Sequence, residues 1–261
     1  MKALRHSGQR GNPLTVLLLT MMAWLAGPAA AAAQELIVSA AASLTSAFKA
    51  IGAAYETAHP EVKVILNFAA SGALLQQIER GAPADVFASA DAATMDQGQA
   101  GGLIDPATRR DFATNRLVVA VPGTSSRGLQ GLADLSRDEI KRIAIGNPAF
   151  MPAGRYAREA LVVAGLWANL EPKFIYANTV LQIVDYLARG EVDAGFVFIT
   201  DTAAAGDKTR VITELTIQAP IRYPIAVVAA SRQPALAGGF VAFVLSAAVQ
   251  DILTGHGFGK P

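Results

Sequence analysis

The chain has no cysteine and only three histidines among its 261 residues. Without cysteine there is no disulfide, no thiolate metal site and no thiol nucleophile. His6, His59 and His256 stand far apart. None lies in a pattern such as H-E-x-x-H, which brings two ligands onto one helix face. Charge is sparse as well, with Asp, Glu, Lys and Arg making up 16%. No run of Lys or Arg offers a footprint for nucleic acid or an anionic membrane surface. Ser125-Ser126, within GTSSRG, lacks the G-x-S-x-G form of a nucleophile elbow. Gly255, Gly257 and Gly259 are followed by no strand, turn and helix, which removes a phosphate loop. Asp85, Asp91 and Asp201 sit near strand ends, where Asp more often caps and turns than transfers protons. No enzyme activity and no cofactor are expected.

What is present begins with an export signal. Met1–Arg10 carries Lys2, Arg5 and Arg10 and no acid. Leu14–Ala26 is apolar apart from Thr15 and Thr20, Gly27-Pro28 breaks it, and Ala29–Ala33 supplies small residues for cleavage. This is the secretory pattern. The run is shorter than the ~20 residues of a membrane-spanning helix. No cysteine follows it to accept a lipid. We place a signal peptide at 1–33, with the cut near Ala33–Gln34, and a periplasmic location. Its removal takes three of the 22 basic residues and none of the 21 acidic ones, leaving a formal charge of −2.

Strands and helices alternate from Glu35 onward. Glu35–Ser39 reads as a buried strand. Leu44, Phe48, Ile51 and Tyr55 then recur at helical spacing, and His59-Pro60 stops the helix. Val62–Phe68 and Ala84–Ser89 read as strands around a short helix ended by Gly81. The middle repeats the pattern, with strands at Leu117–Val121, Ile140–Ile145, Phe174–Ala177 and Ala194–Ile199. Helices are expected at about Gly154–Ala164 and Thr179–Arg189. The last segments are a strand, Ile221–Ala229, and one helix, Leu236–Leu253. Alternation of this kind predicts α/β lobes, each a mostly parallel sheet flanked by helices. Two such halves without a flexible linker imply paired crossovers, over Asn115–Val121 outward and Ala219–Ile225 back. The lobes are then 34–116 plus 222–261, and 117–221, with a ligand cleft between them.

Small and hydroxyl residues gather at four expected helix starts: Ser43, Ser71, Ala153-Gly154 and Asn178-Thr179-Val180. A helix start exposes backbone N–H groups without internal partners and the positive end of the helix dipole. It can therefore hold an oxyanion with no Lys or Arg. Several starts converging in a cleft form a cage of neutral donors, suited to an anion that has acceptors only. Each start also has an ordinary reading. Ser43 and Ser71 are typical helix caps and turn residues. Arg155 and Arg158 read as a solvated helix face, as do Lys49, Arg80 and Arg189.

Five segments then carry a resemblance: AASLTSAF (41–48), FAASGALLQQIERGAPADVFASAD (68–91), NPAFMPAGRYAREAL (147–161), GFVFITDTAAAG (195–206) and YPIAVV (223–228). In this order the chain resembles the periplasmic molybdate-binding proteins of ABC transporters, within the type II periplasmic binding fold. The resemblance implies capture of molybdate or tungstate, bound as an oxyanion rather than a bare metal ion. It puts the hydroxyl donors at Ser43 and Ser71 and the backbone donors at Ala153 and Val180. The family's tyrosine falls on Phe198, which has no hydroxyl. Thr200 and Tyr176 are near enough in sequence to consider as substitutes. The implied partners are a small inorganic oxyanion and a membrane permease, with the binding protein a monomer. Two alternatives stay open: a type II binding protein for sulfate or an organic anion, and a periplasmic α/β hydrolase.

Overall fold

Ten strands alternate with nine α-helices in the computed structural model, which describes residues 33–261. The expected signal peptide lies, apart from Ala33, outside the described residues. The first seven elements are β1 (Gln34–Ala41), α1 (Thr45–Ala58), β2 (Val62–Ala69), α2 (Ser71–Glu79), β3 (Val86–Ala88), α3 (Ala92–Ala100) and β4 (Arg110–Asn115). Then come β5 (Leu117–Pro122), β6 (Ile143–Gly146), α4 (Pro152–Val163), α5 (Trp167–Leu170), β7 (Phe174–Ala177) and α6 (Val180–Ala188). β8 (Ala194–Phe198), α7 (Ile199–Ala205), β9 (Thr209–Glu214), β10 (Ile221–Val227), α8 (Pro234–Val244) and α9 (Ala247–Gly255) complete the chain. Among the described residues no single helix is long and apolar enough to cross a membrane.

The strands form two five-stranded sheets, ordered β2-β1-β3-β10-β4 and β7-β6-β8-β5-β9. Each sheet belongs to one lobe. Helices cover the sheets, so β5 and β8 are buried along their whole length. This is why both read as continuous apolar runs rather than alternating ones. The expected stripe on α1 is buried: Phe48 and Ile51 are fully so and Tyr55 nearly so. Side chains of that size each contribute roughly 1.5–3 kcal/mol on burial.

The expectation of mostly parallel sheets holds, with one reversed strand in each: β10 in the first sheet and β5 in the second. β1 pairs in parallel with β2 and β3, but β10 runs against both β3 and β4. In the second sheet β6 is parallel to β7 and β8, while β5 runs against β8 and β9. The parallel pairs come from βαβ units. The antiparallel ones come from strands that carry the chain between sheets, which periodicity within a strand does not reveal. Only Arg116 separates β4 from β5, so the outward crossing is a single residue. The return is complete before Ile221, which already pairs with Asn115 in the first sheet. The expected boundary had left Ile221 in the second lobe. The expected closing helix is two helices, broken at Leu245-Ser246.

Candidate functional site

Both serines stand at element starts beside the first sheet, and neither caps a helix. Ser43 lies in a 3₁₀ turn, Ala42–Leu44, that follows β1. Its Oγ lies 3.0 Å from the Tyr223 hydroxyl. Ser71 is the first residue of α2, whose N-cap is Ala70. The Ser71 Oγ accepts a hydrogen bond from the Ala90 N–H at 3.0 Å. The ordinary capping reading of these residues is thus replaced. Each hydroxyl is held by a partner from a distant segment, as local spacing does not show.

The second lobe contributes two helix starts. Pro152 opens α4, giving up an N–H that would have no partner anyway. A Cβ on Gly154 would lie 2.2 Å from the Gly146 carbonyl oxygen, so only glycine lets α4 sit this close to β6. That seating places Ala153, almost fully buried, at the cleft. At α6 the Thr179 side chain accepts from the Gln182 N–H at 3.2 Å, which leaves the first helical residue, Val180, with its N–H free of the helix.

One small cavity, about 20 Å³, is lined by Ser43, Ser71, Ala153, Val180 and Phe198 together. All five residues singled out from the sequence meet there, with Ala70, Ala90, Met151 and Thr179 filling the wall. No charged side chain lines it. The volume is slightly above the ~10–15 Å³ that one water needs. It is far below the ~300 Å³ at which pockets for organic ligands begin. A larger neighbouring cavity, about 270 Å³, is lined by Thr45, Thr200, Asp201 and His256 among others. It presents the Asp201 carboxyl, which is ill suited to an anion. Burial pushes the Asp201 carboxyl up to about 7, against the opposing effect of the Phe198 N–H bonded to it.

Neither residue considered as a substitute for the missing hydroxyl lines the small cavity. Tyr176 is half exposed on β7 against Phe174. Thr200 accepts from Asn115 Nδ2 at 3.0 Å and faces the larger cavity. Phe198 is buried and packs edge-on against Tyr223, at 5.7 Å between ring centroids. Tyr223 also meets Phe112 and Phe258, so an aromatic cluster closes the base of the cleft where the lobes join. Burial, with Asp201 nearby, pushes the Tyr223 hydroxyl well above its ordinary range, so it remains protonated.

At the rim the lobes are joined by charge. Asp91 caps α3 through the Thr94 N–H at 3.1 Å. Arg155, in the first turn of α4, donates from Nε to Asp91 Oδ2 at 2.9 Å. Its Nη2 reaches the same oxygen and Thr94 Oγ1. The expectation that Arg155 occupies a solvated face is corrected, because its partner lies 64 residues away on the other lobe. Arg158 stands over the Trp167 ring at 5.6 Å, while Lys49, Arg80 and Arg189 are exposed as expected. Beside this pair the Gly72 N–H donates to the Phe150 carbonyl at 3.0 Å, again between lobes. A Cβ on Gly72 would fall 2.6 Å from that oxygen. Sequence reasoning missed Asn115 and Tyr223 as site residues. Tyr223 lies within a quoted motif, YPIAVV, but its bonding partners are 108 and 180 residues away.

Two mixed α/β lobes that meet over a small neutral cavity define a two-lobed solute-binding protein of the type II periplasmic fold. A family model described as bacterial extracellular solute-binding protein matches residues 36–259, and the chain belongs to that family. It is a family of binding proteins, not enzymes. The molybdate-binding protein ModA of Mycobacterium tuberculosis is 35% identical over 237 residues, covering 90% of this chain and 88% of that protein. ModA of Escherichia coli is 36% identical over 214 residues, covering 78% and 81%. The solved periplasmic molybdate-binding protein of Azotobacter vinelandii has the same fold, with a TM-score of 0.76, 24% identity, and coverage of 87% of this chain and 99% of that one.

Proposed function

We propose that this chain captures molybdate or tungstate as an oxyanion between its lobes and delivers it to the membrane permease of an ABC transporter. In this reading lobe 34–116 plus 221–261 supplies the hydroxyls of Ser43 and Ser71. Lobe 117–220 supplies the N–H groups of Ala153 and Val180. The protein is exported by cleavage near Ala33–Gln34 and works in the periplasm as a monomer with no further cofactor. The observation that carries the reading is the meeting of those four residues in one cavity without charge. The two curated relatives bear molybdate-binding names and match across most of this chain.

The chemistry is consistent with this cargo. The cage offers donors from serine hydroxyls and helix starts and no carboxylate acceptor. A fully deprotonated tetrahedral anion needs only donors. Hydrogenphosphate carries a proton that such a cage cannot accept. Sulfate is smaller than molybdate and would be held by fewer of the donors at once. The ligand binds groups of both lobes and so favours the closed form, to the extent of its differential affinity for closed over open.

A thermal-shift panel tests this. At 100 times the dissociation constant a ligand stabilises the fold by about 2.7 kcal/mol. Molybdate and tungstate are expected to raise Tm by several degrees, with little shift for sulfate or phosphate. A larger shift with sulfate would replace molybdate as the cargo. No shift with any oxyanion, alongside turnover of a generic ester, would favour the hydrolase.

A further inference from the structure

We infer that Tyr223 is a positioning residue for the bound anion: with Asn115 it forms a directed hydrogen-bond relay that obliges Ser43 to point its proton into the cavity. This rests on the oxyanion reading above and adds to it the means by which one donor is set.

The direction follows from counting donors. The Arg116 N–H donates to Asn115 Oδ1 at 2.8 Å, so the amide nitrogen of Asn115 faces the other way. That nitrogen spends one proton on Thr200 Oγ1 at 3.0 Å and the other on Tyr223 Oη at 3.1 Å. Tyr223 is fully buried, and its hydroxyl has one other partner, Ser43 Oγ, at 3.0 Å. A phenol has one proton to give. If Ser43 donated to it, that proton would be buried without an acceptor, at a cost of about 1–3 kcal/mol. Tyr223 therefore donates to Ser43. The Ser43 oxygen is then occupied as an acceptor, and its own proton is left for the two cavities that Ser43 lines, of which the small one holds the other proposed donors and the larger one the Asp201 carboxyl.

The second serine is set in the same sense by a different device. The Ser71 Oγ accepts from the Ala90 N–H, so its proton too is left for the cavity. A backbone amide cannot reverse its direction, whereas a hydroxyl can. Ser43 thus needs a donor fixed from behind, and Asn115 fixes it. Hydrogen bonds in a chain polarise one another, which strengthens the last donor. Tyr223 also packs on Phe198, where the resemblance would have put a hydroxyl facing the anion. Its own hydroxyl acts one bond further back, through Ser43.

Calorimetry with molybdate on a double-mutant cycle tests the relay. Tyr223→Phe keeps the ring and removes the donor, and is expected to weaken binding about tenfold. Ser43→Ala is expected to weaken it by at least as much. In the Ser43→Ala background, Tyr223→Phe is expected to cost nothing further. A general loosening of the aromatic cluster would weaken binding in both backgrounds alike, so fully additive losses overturn the relay. Asn115→Ala, with all four rings of the aromatic cluster in place, gives a second cycle. It is expected to cost about threefold with Ser43 present and nothing without it. Additive losses there overturn the role of Asn115. The wild-type titration separates the two levels: no binding of molybdate or tungstate removes the proposed function itself. Wild-type binding with additive variants removes the relay alone.

Discussion

The cavity and its rim stand side by side and are built oppositely. Ser43, Ser71, Ala153 and Val180 line the cavity and bring no formal charge to it. At the rim, Arg155 carries a full charge, neutralised by Asp91, whose side chain is 4% exposed. That cation is thus already committed to Asp91. In the proposed function, recognition therefore falls to dipoles and closure to charge. Dipoles fixed by the backbone select for shape and proton content. An ion pair between lobes discriminates nothing about the ligand but favours the state that encloses it.

Breaking closure without touching either set of groups has the largest expected effect. Gly72→Val puts a side chain against the Phe150 carbonyl. Overpacking of this kind costs about 1–3 kcal/mol, and the lobes escape it by opening. Molybdate affinity is expected to fall by about 10–100-fold, with the apo fold retained by circular dichroism. Unchanged affinity would show that the cavity forms without this contact.

Next is the rim itself. Arg155→Met leaves Asp91 buried without its cation. Breaking such a pair costs about 3–5 kcal/mol when it is fully buried. The Arg155 side chain is 26% exposed, so solvent screening lowers this to about 1–2 kcal/mol. Affinity should fall about tenfold. Pairing it with Asp91→Asn should restore much of the loss. An Arg155 that held the anion directly would give no such restoration, and the division between rim and cavity would fail.

Phe198→Tyr sharpens the comparison from the cavity side by adding a neutral donor. A hydrogen bond to a charged group is worth about 1.5–3 kcal/mol net. Part of it is lost in turning a ring that is packed on Tyr223. Tighter binding, by about threefold to tenfold in calorimetry, is expected. Equal or weaker binding would mean that the cage is already complete.

The smallest change in affinity concerns Asp201. Burial raises its folded-state value to about 7, above the ordinary 3.8. The associated stability is full below about pH 4 and is lost as pH rises through 7, because the folded state resists ionisation. Above pH 7 the carboxylate adds negative charge near the cleft. Molybdate affinity should then fall about two- to threefold, and Tm should decline from pH 4 to 7. Asp201→Asn is expected to flatten both profiles. A wild-type profile already flat would remove Asp201 as their source.

Much of the fold was legible because it rests on local periodicity. The stripe at Phe48, Ile51 and Tyr55 marks α1, and the apolar run of β5 marks a strand buried on both faces. β4 was missed because RDFATN shows neither alternation nor a continuous apolar run; it is a strand by virtue of pairing with β10. α3 was missed because AATMDQGQA has no apolar stripe, although Asp91 caps it. The five cavity residues were found through resemblance, after helix starts had shown only that an anion could bind there.

Taken alone, the sequence determined the α/β alternation and the pattern of an export signal. It determined the absence of thiols and histidine clusters, and the residues that stand at helix starts. Each of these depends on neighbours within one or two turns of chain. The tertiary structure alone decided that four such starts share one cavity. It also decided that Arg155 is neutralised by Asp91, and that Tyr223 stands between Asn115 and Ser43. The ion pair and the Tyr223 contacts join groups 64 to 180 residues apart. Hydrogen bonds and ion pairs act over a few ångströms of space, and no spacing along the chain encodes which distant segments the fold will bring that close.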